Sequence, residues 1–205
     1  MTPFISARHH RTMVTKSHWG DVFPDPSTLF RKVLVVVDMQ NDFITGPLGN
    51  RECVSAVPAV ADLILNGGYD HVYATMDSHG KDYADTQEGR KLPVPHCMYG
   101  THGWKIALDV WDALESMGRY TTVEKRTFGS EILCQTLFFE CASDAQVDFA
   151  GVCTDICVVS NALLVRSLCP EMRLRVISNA CAGTSPEAHS AALSVMRSCQ
   201  IEVVQ

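Results

Sequence analysis

The chain has 205 residues, of which 46% are hydrophobic and 20% charged, and its formal net charge is −6. This length and composition are typical of one globular domain with a substantial core. No long basic run points to a nucleic-acid partner, no stretch approaches the roughly 18 to 20 apolar residues of a membrane span, and the N-terminus lacks the apolar segment of a secretory signal.

The first residues differ in composition from the rest. Residues 1–20 contain no Asp or Glu but carry Arg8, Arg11, Lys16 and three histidines. We expect an N-terminal arm or extension over residues 1–31 and a single domain over residues 32–205, with an organelle presequence in residues 1–20 as the alternative. Nine cysteines without a secretory signal indicate reduced thiols, and hence a cytoplasmic protein.

Short apolar runs alternate with helical patterns along the chain. The β-branched run at residues 32–37 predicts a strand buried on both faces. Further strands are predicted at 71–76, 119–124, 146–152, 173–178 and 200–204, and helices near 54–66, 105–117, 129–141, 155–168 and 185–198. This alternation predicts an α/β fold with a doubly wound, mostly parallel sheet in three layers and helices on both faces. Residues 78–104 show no period and predict a long functional loop.

Ligands of such sheets bind outside the carboxyl ends of the strands. That rule selects the residues at the predicted strand ends: Asp38, Asp77, Lys125 and the segment from Cys153 to Cys157. An acid, a base and a thiol are therefore expected to converge from distant positions.

Cys157 is the candidate nucleophile. It follows a predicted strand and lies in the first turn of a predicted helix, which Thr154 or Asp155 would cap. The partial positive charge and free N–H groups of a helix N-terminus favour a thiolate, lower the thiol pKa and can hold an oxyanion. The alternatives are an inert buried cysteine and a redox or metal pair with Cys153, although the two do not have CxxC spacing.

Asp38 and Lys125 are the candidate partners of the thiol. Asp38 ends the most hydrophobic strand, where a carboxylate is costly unless it is paired or has a function. It can take the thiol proton as a general base, or it can hold loop amides in a structural role. Lys125 at another strand end can pair with Asp38 and balance negative charge, or it can simply be a surface lysine.

The long loop offers metal ligands. Asp77 and His79 lie at a strand end, and His96 follows in the loop. Imidazole nitrogens and carboxylate oxygens at such positions can bind a divalent metal.

Together these segments resemble the isochorismatase-like cysteine hydrolases, and within them the nicotinamidases. The resemblance covers about residues 32–204 and rests on four motifs, in chain order: VVVDMQNDF at 35–43, DSH at 77–79 with PHC at 95–97 and GT at 100–101, EKRTFGS at 124–130, and GVCTDICV at 151–158.

The resemblance implies that nicotinamide is hydrolysed to nicotinic acid and ammonia through a thioester. It implies that Asp38, Lys125 and Cys157 form a catalytic triad, that the Val152–Cys153 bond is cis, and that the N–H groups of Cys153 and Cys157 form the oxyanion hole. Phe43, Gln40 and Val152 are the expected substrate contacts. The implied metal, zinc or else manganese or iron, would be held by Asp77, His79 and His96, with Asp85 at about the position of a further ligand. A homo-oligomer is also expected.

Two departures from the family pattern leave other functions open. Residues 91–94 supply no aromatic side chain to stack on a pyridine, and Asp85 stands where a histidine is usual. The alternatives are a metal-independent carbamoyl or amide hydrolase, an isochorismatase-like vinyl-ether hydrolase, and a non-catalytic binding protein on the same fold.

Overall fold

The computed structural model describes residues 25–205. Its strands are β1 (Phe30–Val37), β2 (His71–Asp77), β3 (Tyr120–Lys125), β4 (Cys141–Val152), β5 (Arg173–Ala182) and β6 (Glu202–Val204). Its α-helices are α1 (Asn41–Ile44), α2 (Arg51–Asn66), α3 (Gln87–Lys91), α4 (Leu108–Met117), α5 (Glu131–Glu140), α6 (Val159–Leu168) and α7 (Pro186–Ser198). Short 3₁₀ turns cover Pro26–Thr28 and Tyr83–Asp85, and a π-helical turn covers Thr154–Val158.

The six strands form one parallel sheet in the order β3-β2-β1-β4-β5-β6. The chain runs outward from β1 in one direction through β2 and β3, and outward from β4 in the other direction through β5 and β6. The order therefore reverses between β1 and β4, and their carboxyl ends border the crevice where ligands of such sheets bind. The predicted α/β fold is confirmed.

Helices cover both faces of the sheet, as predicted. On one face α5, α6 and α7 pack on Val33, Val35 and Val37 of β1. On the other face α2 and α4 pack on Leu34 and Val36. The β-branched run of β1 thus serves two cores, which explains why it has no polar alternation.

Several boundaries differ from the predictions. β4 begins at Cys141 rather than at residue 146, because Cys141, Ala142 and Ala145 pack in the core beneath α5. The helix predicted over 155–168 is divided into the π-helical turn and α6. The long loop contains a 3₁₀ turn and α3, and α1 is a short helix that the sequence pattern did not predict.

Two other expectations concern the ends of the chain and its surface. The proposed presequence in residues 1–20 lies outside the described residues, as does most of the arm expected over 1–31; β1 already begins at Phe30. Within residues 25–205, none of the helices combines the length and apolarity needed to cross a bilayer.

The apolar residues of α6 have two different surroundings. Ala162 and Val165 are buried within the chain, whereas Leu164 and Leu168 are exposed.

Candidate active site

The structure brings the three predicted triad residues together at the carboxyl edge of the sheet. Lys125 Nζ lies 2.6 Å from Asp38 Oδ2 and 3.6 Å from Cys157 Sγ. Exposed fractions are 0% for Asp38 and 5% for both Lys125 and Cys157. Since β1, β3 and the turn after β4 supply these side chains, the fold itself creates the cluster.

Asp38 has an unusual backbone conformation that aims its side chain into the site. Its φ is 49°, in the left-handed region that residues other than glycine rarely adopt. The side chain of Thr75 in β2 donates a hydrogen bond to Asp38 Oδ1 over 2.6 Å. The carboxylate is therefore held through one oxygen by Thr75 and through the other by Lys125.

The end of β4, just before the turn that carries Cys157, lies close against the backbone of β1. Gly151 has a φ of 117°, and a Cβ there would lie 2.2 Å from the carbonyl oxygen of Val37, so this position requires glycine. The Val152–Cys153 peptide bond is cis, as the resemblance implied.

Cys157 lies within the π-helical turn, which no side chain caps. Thr154 and Asp155, the predicted caps, bond elsewhere: Thr154 Oγ1 lies 2.8 Å from His189 Nδ1, and Asp155 accepts hydrogen bonds from Thr184. Both bonds tie the turn to α7 and the loop before it.

The expected lowering of the thiol pKa is wrong. Burial raises the pKa of Cys157 well above its ordinary value, the nearby Asp38 carboxylate raises it further, and Lys125 only partly opposes them. Burial also raises the pKa of Asp38 against the effect of Lys125. For Lys125, burial acts to lower the pKa, but Asp38, Asp77 and the other neighbouring groups together outweigh it and the pKa is raised. The resting thiol thus carries its proton, and a base must remove it before the sulfur can attack.

A second cluster adjoins the triad. Asp77, His79, Glu88 and His96 place one ligand atom each within 4.8 Å of the others. His79 Nε2 lies 2.9 Å and His96 Nε2 3.5 Å from Asp77 Oδ2. Burial acts to raise the pKa of Asp77, but its bonds to the two imidazoles hold it well below its ordinary value. Asp77 Oδ1 is also 3.4 Å from Lys125 Nζ, so an ion pair connects the second cluster to the triad.

Glu88 replaces Asp85 in this cluster. Asp85 is exposed at the end of the 3₁₀ turn and does not join the group. The Thr86 side chain accepts a hydrogen bond from Gly89 N and caps α3. Glu88 lies in the first turn of this helix, and its Oε1 is 3.6 Å from His96 Nε2. An acidic residue in the first turn of a helix and a threonine cap were visible in the sequence, but the missing period in 78–104 concealed them.

The three residues predicted to contact substrate, Gln40, Phe43 and Val152, each have other neighbours in the structure. The Gln40 amide accepts a hydrogen bond from Asp77 N and donates to the carbonyl oxygens of Asp77 and Trp104, so it is bound to the end of β2 and to the loop before α4. The Phe43 ring lies 5.4 Å from the His96 ring, and Val152 is fully buried in the core. Substrate contacts by Gln40, Phe43 and Val152 stay predictions, as does the oxyanion hole.

A cavity of about 610 Å³ opens beside both clusters. Its lining includes Lys125 of the triad and His79 of the second cluster, with Arg126 and Tyr99 farther out. This size accommodates a small molecule.

Comparisons with known proteins identify the family of the chain. A model of the isochorismatase domain matches residues 32–205. The nicotinamidase/pyrazinamidase of Mycobacterium tuberculosis is 31% identical over 186 residues, which are 84% of this chain and 98% of that relative. The crystal structure of a nicotinamidase/pyrazinamidase from Bacillus subtilis has a TM-score of 0.69 and 26% identity, and covers 85% of this chain and 100% of that one.

A further structure, the pyrazinamidase of Pyrococcus horikoshii in complex with zinc, has a TM-score of 0.69 and 25% identity and covers 85% of this chain and 99% of that one. Because the family model spans most of the sequence and these similarities extend over the same region, the chain belongs to the isochorismatase domain family.

Proposed function

We propose that the protein is a cysteine amidohydrolase that converts nicotinamide to nicotinic acid and ammonia. The observation that carries the proposal is the contact of Lys125 with both Asp38 and Cys157 in a buried cluster. A base, a thiol and a cation so placed are the parts that acyl transfer requires. The names of the relatives, nicotinamidase and pyrazinamidase, supply the substrate class.

Asp38 takes the proton from Cys157, and the sulfur attacks the amide carbonyl. The N–H groups of Cys153 and Cys157 hold the resulting oxyanion. Collapse breaks the carbon–nitrogen bond, Asp38 returns its proton to the nitrogen, and ammonia leaves. Asp38 then takes a proton from water, whose oxygen attacks the thioester. Collapse breaks the carbon–sulfur bond and releases the carboxylic acid, and Asp38 returns its proton to the Cys157 sulfur. Lys125 offsets the negative charge that moves between Asp38 and the substrate.

The second cluster fits a divalent metal. Two imidazole nitrogens and two carboxylates suit zinc, manganese or iron, and three of the four residues are buried. We propose Asp77, His79, Glu88 and His96 as the ligands. When bound, the metal supplies a cationic anchor for a lone pair of a substrate ring nitrogen. Gln40 keeps the strand end that bears Asp77 in place.

We expect Glu88→Gln to weaken zinc binding by at least about tenfold, because even the outer partners of metal ligands have effects of that size. Competition with a chromophoric chelator measures the affinity. Asp85→Asn is the matched control, because it removes the same charge three residues away without touching the cluster. Equal weakening by both substitutions would show that only the net charge of the loop matters, and would remove Glu88 from the ligand set.

The activity is tested by ammonia release from nicotinamide, pyrazinamide, carbamoyl compounds and aliphatic amides. The protein is stripped with chelator and reloaded with zinc, manganese or iron. We expect metal-stimulated turnover that is fastest with the pyridine amide. Turnover of an aliphatic or carbamoyl substrate without metal would instead support the metal-independent hydrolase, to which the lack of an aromatic side chain at residues 91–94 points. No ammonia from any compound would contradict the proposal.

We further propose that residues 32–205 form a single domain, that the protein is cytoplasmic, and that it forms a homo-oligomer. The exposed Leu164 and Leu168 on α6 are apolar side chains of the kind that such an interface buries.

A further inference from the structure

Thr75 makes an unusual set of contacts with Asp38. Thr75 is 1% exposed and lies near the carboxyl end of β2. Thr75 Oγ1 donates to Asp38 Oδ1 over 2.6 Å. The Asp38 N–H in turn lies 3.2 Å from both Thr75 Oγ1 and the Thr75 carbonyl oxygen. One residue thus bonds both the backbone and the side chain of Asp38.

These bonds supply a rigidity that Lys125 does not provide. Lys125 reaches Asp38 with four methylenes and can follow the carboxylate if it turns. Thr75 is β-branched, with a stiff χ1, and sits in a strand that is paired on both sides. Asp38, in contrast, follows the last residue of β1 and has a left-handed backbone. The fixed partner in this arrangement is therefore the threonine hydroxyl.

We infer that Thr75 is a positioning residue that orients the Asp38 carboxylate toward the Cys157 thiol. Proton transfer requires the base within hydrogen-bond reach of the proton it takes, so a carboxylate free to rotate is a poorer base even when its charge is unchanged. The effect on turnover rests on the proposed function. The effect on the reactivity of Cys157 does not, because it involves no substrate.

A purely structural role is the competing explanation. A buried hydroxyl needs a partner, and Asp38 is the nearest acceptor. In that case loss of the hydroxyl would change the free energy of unfolding but leave kcat unaffected.

The pair Thr75→Ser and Thr75→Ala separates the two roles. Both variants lose the same methyl group, and they differ only in the hydroxyl. We expect the serine variant to keep near-normal kcat and the alanine variant to fall about 10- to 100-fold below it, the range for a hydrogen bond to a charged group. KM should stay nearly the same, because Thr75 is 1% exposed and its hydroxyl is bound to Asp38 rather than free to bind substrate. The same pair at the exposed Thr122 in β3 is the matched control.

Iodoacetamide alkylation of Cys157, located by peptide mass spectrometry, gives a second readout without substrate. The alanine variant should alkylate Cys157 more slowly than the serine variant. If that difference appears while no amide is hydrolysed, Thr75 positions the base and the proposed substrate class is wrong. If both variants have equal kcat and equal alkylation rates, Thr75 only supports the fold. Should the alanine variant fail to fold, the isosteric Thr75→Val replaces it against the parent protein.

Discussion

Cys157→Ala is expected to reduce ammonia release by at least about 1000-fold, because removal of a nucleophile leaves only binding and oxyanion stabilisation. Cys157 is the only thiol placed against Lys125 in the described part of the chain. The fold should tolerate the change, since alanine fits the space of a buried cysteine in the π-helical turn. The measurement is kcat on the best substrate of the panel, with metal content and melting temperature recorded for each variant.

Cys169→Ala is the matched control. Cys169 is buried to a similar extent, at 6% exposed against 5%, but it lies at the opposite end of α6 from the active site. It should retain full turnover. A Cys157→Ala protein that kept more than about a tenth of the parent rate would place the nucleophile elsewhere and overturn the mechanism. Cys157→Ser tests the chemistry more finely, because a serine hydroxyl ionises far less readily than a thiol and should also turn over slowly.

The raised thiol pKa changes how this cysteine works. The sequence suggests a thiolate stabilised by a helix N-terminus, but full burial beside a carboxylate favours the neutral thiol. A neutral thiol must lose its proton to a base before the sulfur attacks, which is the role proposed for Asp38. Such burial is decided by how α5, α6 and α7 close over β1, which local sequence does not reveal.

The parts of the site that could be predicted follow from strand ends. Uninterrupted β-branched runs identify buried parallel strands, and the residues after them must meet at one edge of the sheet. Asp38, Lys125 and Cys157 were located in this way, and so were Asp77 and His79. The motifs then separated these residues from ordinary buried cysteines and surface lysines.

The parts that could not be predicted depend on loop conformation or on cross-strand partners. Glu88 lies in a segment without periodicity, where a cap at Thr86 and a helix of one turn decide which acidic side chain points inward. The amide of Gln40 bonds the end of the neighbouring strand β2, and no local pattern around residue 40 predicts that partner. Thr75 reads as an ordinary strand threonine until the register of β1 and β2 places it beside Asp38.

Lys125→Met should lower the free energy of unfolding by about 3 to 5 kcal/mol at neutral pH, the cost of breaking a buried ion pair by removing one partner. Asp38 is 0% exposed and would keep only the Thr75 hydroxyl opposite its carboxylate, with Asp77 adding repulsion. Methionine has nearly the length of lysine, so the loss comes from charge rather than from a cavity. Urea denaturation measures the change, and Lys105→Met on the surface should shift it by less than about 0.5 kcal/mol.

The double variant Asp38→Asn with Lys125→Met shows whether the loss of stability comes from the unpaired Asp38 charge or from changed packing around residue 125. Removing both charges takes away the uncompensated carboxylate, so the double variant should be more stable than Lys125→Met alone although it is inactive. If Lys125→Met is as stable as the parent, Asp38 has taken up a proton in the variant, because burial raises the pKa of this carboxyl and Lys125 no longer opposes it. The variant should then lose stability relative to the parent as the pH rises, since the buried carboxyl must keep a proton that the unfolded chain releases. Equal stability of the two proteins at every pH would contradict a buried ion pair between Asp38 and Lys125.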